Sequence, residues 1–252
     1  MINVIRKPEI RTYPGLEDLS RAAAEFVCEI AEEVIRKRGV FTFVLSGGST
    51  PRLLYEELAR QPISKRIQWP KTHIFWGDER YVEPDNPESN YGLAFQALVS
   101  KVDIPPENVH RIPTESHSVH VAAGAYEETL RRFFRPYPGS IDGTYLPSFD
   151  LVLLGLGQDG HTASLFPGDA ALEEKYRLVV GVDSVRASPP VPRITLTLPV
   201  LNKADCVVFL VSGSGKKEVF EEIMNHPETT AYPAARVRPS GRLLWFVDEW
   251  LA

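Results

Sequence analysis

The chain has 252 residues and a net charge of −5, with 43% of its residues hydrophobic and 24% charged. That is enough chain to bury a large core, and the composition is ordinary for a globular protein. The acidic balance speaks against a nucleic-acid or anionic-membrane binder, since both reward a basic surface, but it leaves room for a few Arg and Lys in one pocket.

The opening "MINVIRKPEI" lacks the apolar run of a secretion signal, and the longest apolar runs later on are strand-length. Neither export nor membrane spanning is expected, and a cytoplasmic location is. "LEDLSRAAAEFVCEIAEEVIRKRG" places Leu19, Ala23, Phe26, Val27, Ile30 and Val34 at helical spacing and ends in basic residues and Gly39, a helix stop. Cys28 in this helix and Cys206 in a later strand lie in apolar runs and read as buried free thiols. The absence of CxxC, HExxH or another ligand spacing leads us to expect no metal.

"VFTFVLS" is a strand, "GGSTP" a tight turn, and "RLLYEELA" a helix with Pro51 in its first turn. Thr72 to Trp76 forms a short strand that runs into the polar turn "GDER". "ESNYGLAFQALVSK" and "VAAGAYEETLRRFF" read as helices, as does "GKKEVFEEIMN". "FDLVLLGLG", "RLVVGV", "RITLTL", "DCVVFLVSG" and "RLLWFVD" read as strands. The strands are apolar on both faces, which predicts an α/β fold with a mostly parallel sheet and helices on both sides. The loops at 135–148 and 187–192 are too short to mark a boundary, so residues 1–252 read as one domain.

Ligands of open α/β sheets bind beyond the carboxyl ends of the strands, so the turns "SGGST", "GDER", "GQDGHT" and "SGSGKK" should gather on one edge. In the first, paired glycines admit a ligand close to the backbone at a helix N-terminus, which suits an anion or an oxyanion. The plainer reading is a strand–helix turn capped by Ser49 or Thr50. In the second, Asp78, Glu79 and Arg80 are either a solvated turn with a local ion pair or part of a site. In "GQDGHTASLFPG", His161 supplies an imidazole, the side chain suited to take a proton from water, and Asp159 two residues earlier is placed to orient it as a general base. The alternative is a satisfied structural histidine. Arg193 begins a strand, and Lys216 and Lys217 begin a helix, where cations oppose the dipole unless an anion sits between them. Taken alone, the lysine pair is a solvated one.

Together, "LSGGSTP", "WGDERYV", "SNYGLA", "GLGQDGHTASLFPG", "PRITLTLPVL" and "VSGSGKKEV" resemble the 6-phosphogluconolactonase family, within the wider group that includes glucosamine-6-phosphate deaminase. The resemblance implies a Rossmann-like sheet of the deaminase and ribose-5-phosphate isomerase type. It also implies hydrolysis of 6-phospho-D-glucono-1,5-lactone to 6-phospho-D-gluconate in the pentose phosphate pathway, without cofactor or metal. Residue by residue, it makes His161 the base and Asp159 its partner, and gives Arg193 and Lys216 the phosphate. Arg80 touches substrate, and Ser46, Gly47, Gly48, Ser49 and Thr50 line the sugar site. Asp78 falls among the substrate-binding residues with its role open. The expected partner is a small sugar-phosphate lactone, with no nucleic acid or membrane, and a monomer or weak homodimer both fit.

The chemistry agrees: a δ-lactone is an activated ester, so water needs only a base and stabilisation of the oxyanion. The chain has no GxSxG nucleophile elbow. Two alternatives stand beside this reading. One is a glucosamine-6-phosphate deaminase/isomerase, but the glutamate that the deaminases carry before the proline is Phe166 here. The other is a non-catalytic sugar-phosphate binder, which could dispense with Asp159 or His161.

Overall fold

The computed structural model describes residues 8–135, 146–183 and 189–249. Most of the expected loop at 135–148, and residues 187 and 188 of the one at 187–192, lie outside the described residues. In chain order the strands are β1 (Glu9–Tyr13), β2 (Phe41–Leu45), β3 (Thr72–Trp76), β4 (Asp78–Arg80), β5 (Val109–His110), β6 (Leu151–Gly155), β7 (Val179–Val182), β8 (Arg193–Leu196), β9 (Cys206–Val211) and β10 (Arg242–Asp248). The helices are α1 (Leu16–Arg38), α2 (Ser49–Ala59), α3 (Ile63–Arg66), α4 (Asn90–Ala97), α5 (Val119–Phe134), α6 (Leu198–Lys203) and α7 (Lys217–Asn225).

Seven strands form one sheet in the order β1-β10-β9-β6-β2-β3-β5, with every neighbouring pair parallel. All residues of β2 and β9 are buried, so both faces of the central strands are covered. From β2 the chain runs outward to β3 and β5, then returns to β6 on the other side of β2 and continues to β9 and β10. The reversal between β2 and β6 is the switch point at which such sheets open a crevice.

Helix α1 begins with Glu17 and Asp18, ends in Arg36, Lys37 and Arg38, and stops at Gly39, whose φ of 79° lets its N–H reach Ile35 O. Leu19, Ala23, Phe26 and Val27 of its apolar stripe are buried, and it packs on α2. The sequence-expected helix over 88–101 is shorter: α4 ends at Ala97, and a single 3-10 turn takes Val99 to Lys101. Cys28 and Cys206 are free and buried, and desolvation pushes their thiols up to about 11 and about 12.

Two strands do not join the parallel sheet as expected. "RLVVGV" and "RITLTL" supply β7 and β8, which pair antiparallel with each other in a separate sheet of order β4-β8-β7. The third member, β4, is the "GDER" stretch, read above as a turn. Gly77 makes the hand-over: its N–H donates to Leu45 O in the large sheet, and its carbonyl accepts from Leu196 N in the small one. Both partners are nonlocal, so no local pattern in "GDER" announces the strand. Helix α5 packs under β7 and β8, and its Tyr126 hydroxyl bonds both the N–H and the carbonyl of Trp76.

Candidate active site

A cavity of about 320 Å³ opens at the carboxyl ends of β2, β3, β6 and β9, over the switch point. Ser46 to Thr50, Asp78, Arg80, His161, Arg193 and Lys216 all line it. Asp159 does not; it stands behind the histidine. The four turns therefore converge on one edge, as the pattern of strands and turns predicts.

The histidine loop follows β6. Asp159 Oδ1 accepts from His161 Nδ1 at 2.5 Å and from the His161 backbone N–H at 3.1 Å. A carboxylate can only accept, so Nδ1 carries the proton and Nε2 is the basic nitrogen of the neutral ring. Burial raises the Asp159 carboxyl, but the hydrogen bond and charge of His161 outweigh it and hold the group below its ordinary value. Gly160 sits at φ 79° against the Tyr232 ring, and its carbonyl accepts from Ala234 N, so the loop is braced from the segment after α7. Ala163 adopts φ 48°, a left-handed conformation rare outside glycine, with Thr162 bonded to Gly155 O on one side of it. On the other side, Ser164 Oγ donates to Asp78 Oδ2 at 2.6 Å. Phe166 packs on the His161 ring at 4.8 Å between centroids and brings no carboxylate to it.

The cations come from three elements. Arg80 on β4 and Arg193 on β8 are register partners across the small sheet. Each has a buried Nε with no partner among the described residues. Arg80 donates to Glu88 O, and Arg193 donates to Pro189 O. Burial, then the like charge of Arg80, pulls the Arg193 guanidinium below its ordinary range. Burial likewise lowers Lys216, opposed by Asp248. Cations depressed in this way gain most from an anion placed among them. The structure separates the lysine pair: Lys216 lines the cavity, whereas Lys217 pairs with Glu221 on the surface.

The alternation of β4 sorts "GDER". Asp78 and Arg80 line the cavity, while Glu79 turns away to accept from the backbone N–H groups of Arg80, Asn90 and Tyr91 and from Ser89 Oγ. Desolvation raises the Glu79 carboxyl despite those bonds. It anchors the start of α4 and is a structural residue.

The helix-cap reading of "SGGSTP" is corrected. The N-cap of α2 is Gly48 at φ 104°, and no side chain caps the helix. Neither Ser49 nor Thr50 does so, because both already lie within the first turn. The leading N–H groups of α2 thus reach the cavity wall without side-chain competition. The Tyr55 hydroxyl clamps the turn by bonding both Ser46 N and Ser46 O. Sequence reasoning assigned no site role to Asn90, Gln158 or Ala163, which also line the cavity. "SNYGLA" was the signal for Asn90. For Ala163, whose φ depends on its tertiary setting, no local signal exists.

The family model for glucosamine-6-phosphate isomerases/6-phosphogluconolactonase matches residues 14–245. A Synechocystis protein named 6-phosphogluconolactonase is 44% identical over 243 residues, covering 96% of each chain. A Nostoc protein of the same name is 40% identical over 243 residues, with the same coverage. Among solved structures, a 6-phosphogluconolactonase from Trypanosoma cruzi superposes with a TM-score of 0.88 at 32% identity, covering 100% of this chain and 98% of its own.

Proposed function

The chain belongs to the glucosamine-6-phosphate isomerase/6-phosphogluconolactonase family and is an enzyme that hydrolyses 6-phosphogluconolactone, and we propose that it does so with a water activated by His161. Asp159 keeps the proton on Nδ1, so Nε2 takes one from water as the water oxygen bonds to the lactone carbonyl carbon. The leading N–H groups of α2 stabilise the resulting oxyanion. Collapse breaks the bond from that carbon to the ring oxygen. The imidazolium returns its proton to the ring oxygen, which leaves as the C5 hydroxyl, and the product carboxyl ionises.

Arg193 and Lys216 hold the phosphate dianion, whose charge offsets the desolvation both cations suffer. Arg80 contacts the substrate beside them. The observation that carries the reading is that the Asp159–His161 unit and these three cations serve one cavity. Among the described residues no three His, Cys, Asp or Glu side chains cluster as a metal site, and no helix is long and apolar enough to cross a membrane.

The test is acid release from freshly generated 6-phosphogluconolactone above the spontaneous background. His161→Ala should lose about 10²–10⁴-fold in kcat while still binding 6-phosphogluconate. Acceleration that survives the substitution would remove His161 as the base. Arg193→Ala should weaken binding of the phosphorylated lactone and leave unphosphorylated gluconolactone unaffected; equal losses for both would rule out a phosphate role. If the wild type gives no acceleration, ammonia release from glucosamine 6-phosphate distinguishes a deaminase from a silent binder.

A further inference from the structure

One wall of the cavity holds two buried polar atoms that neither the fold nor the mechanism uses. Asn90 is 1% exposed and Ser46 is 5% exposed, and both line the cavity. Asn90 Oδ1 and Ser46 Oγ have no hydrogen-bond partner among the described residues. The amide orientation is fixed chemically. Its Nδ2 donates to Asp78 O at 2.9 Å and faces Asp78 Oδ1 at 3.4 Å, and both of those are acceptors. A flipped amide would press its oxygen onto them, so Oδ1 must face the other way, toward Gly47.

Gly47 makes room for that oxygen: a Cβ there would lie 1.8 Å from Asn90 Oδ1. The backbone of Asn90 is held in turn, since its N–H donates to Glu79 Oε1 at 2.7 Å. The acceptor is therefore rigid and desolvated, with no donor among the described residues.

The geometry points to Asn90 as a specificity-determining residue, with Oδ1 accepting a hydrogen bond from one ring hydroxyl of the bound lactone and Ser46 Oγ flanking the same hydroxyl. The inference rests on the lactone-hydrolysing reading above and deepens it. A buried acceptor left unpaired is costly, so the site rejects a substrate lacking that hydroxyl rather than merely binding it less well.

The test compares kcat/KM for 6-phosphogluconolactone with that for its deoxy forms lacking the hydroxyl at carbon 2, 3 or 4. In the wild type one deoxy form should fall about 10- to 100-fold and the others far less. In Asn90→Ala the parent should lose about the same factor and that deoxy form almost nothing, so their ratio shrinks to within about threefold. Gly47→Ala gives a second reading if Asn90→Ala does not fold, since its Cβ would lie 1.8 Å from Oδ1 and 2.7 Å from Nδ2 and so displaces the whole amide from its seat. It should shrink the same ratio. Wild-type ratios within about threefold for all three deoxy forms would overturn the proposal. So would a ratio unchanged in both variants. Failure of the wild type to accelerate the parent lactone would remove the hydrolytic reading and this inference with it.

Discussion

A Cβ on residue 157 would lie 2.1 Å from His161 Nδ1 and 2.8 Å from Asp159 Oδ1. The need for glycine here is space: the imidazole lies directly against the loop backbone, and Gly157 is not among the left-handed residues. Gly157→Ala should therefore displace the ring by a fraction of an ångström or more and cost roughly 10²-fold in kcat. Product binding through Arg193 and Lys216 should persist, as measured by titration with 6-phosphogluconate. Unchanged kcat would show that the His161 seat is not where the structure places it. Gly48 is a glycine for the other reason, a left-handed φ of 104°, and Gly160 for both, a φ of 79° and a Tyr232 ring 2.3 Å from where a Cβ would sit. Both uses of glycine fall in stretches that the sequence marks only as "Gly-rich".

Away from the cavity, β3 and β5 join through a histidine pair. His73 Nδ1 and His110 Nε2 are 3.0 Å apart with stacked rings, and Phe75 and Phe133 pack on them. Burial lowers His73, and burial followed by His73 itself lowers His110 from 6.5 to about 4. The fold thus holds both rings neutral, while the unfolded chain takes up protons below about pH 6.5. Their contribution to stability is fully present above that pH and is lost as pH falls through about 4, the His110 value. The melting temperature should decline across this window, and His110→Phe, which keeps a ring in the stack and removes its titration, should flatten the decline. An identical profile in the variant would exclude the pair as its cause. Since β5 is only two residues long, the same window should see the edge of the sheet loosen first.

For the molecule as a whole, ligand binding should be read as stability. An acidic chain of net charge −5 concentrates Arg80, Arg193 and Lys216 at one cavity, so an anionic product relieves repulsion that the free protein carries. At a concentration 100 times its Kd, 6-phosphogluconate should add about 2.7 kcal/mol, or roughly 5–10 °C in Tm. Arg193→Ala should lose most of that protection. The protection should also fade at alkaline pH: Lys216 is charged only below its lowered pKa, and it gives up its proton earlier than an ordinary lysine as pH rises. Calorimetry at a fixed excess of ligand across pH 7 to 10 checks the sign. Protection that grows with pH would exclude Lys216 from the anion site.

What the sequence determined by itself was whatever a short window can carry. Two-faced apolar runs alternating with helical stripes announced a covered parallel sheet. Gly39 marked the end of α1, and "GQDGHT" put a carboxylate two residues from a histidine, close enough to bond it without help from the rest of the chain. Tertiary structure alone decided what depends on contacts between distant segments. It paired β4 with β8, so that Arg80 meets Arg193, and drew Ser164 onto Asp78. It also sent Glu79 to the start of α4 rather than to the cavity, and left Asn90 Oδ1 unpartnered opposite Gly47. The physical reason is that periodicity and turn chemistry are local energies, legible in order along the chain. Strand register and the fate of a buried polar atom are settled by neighbours that arrive only when the chain has folded.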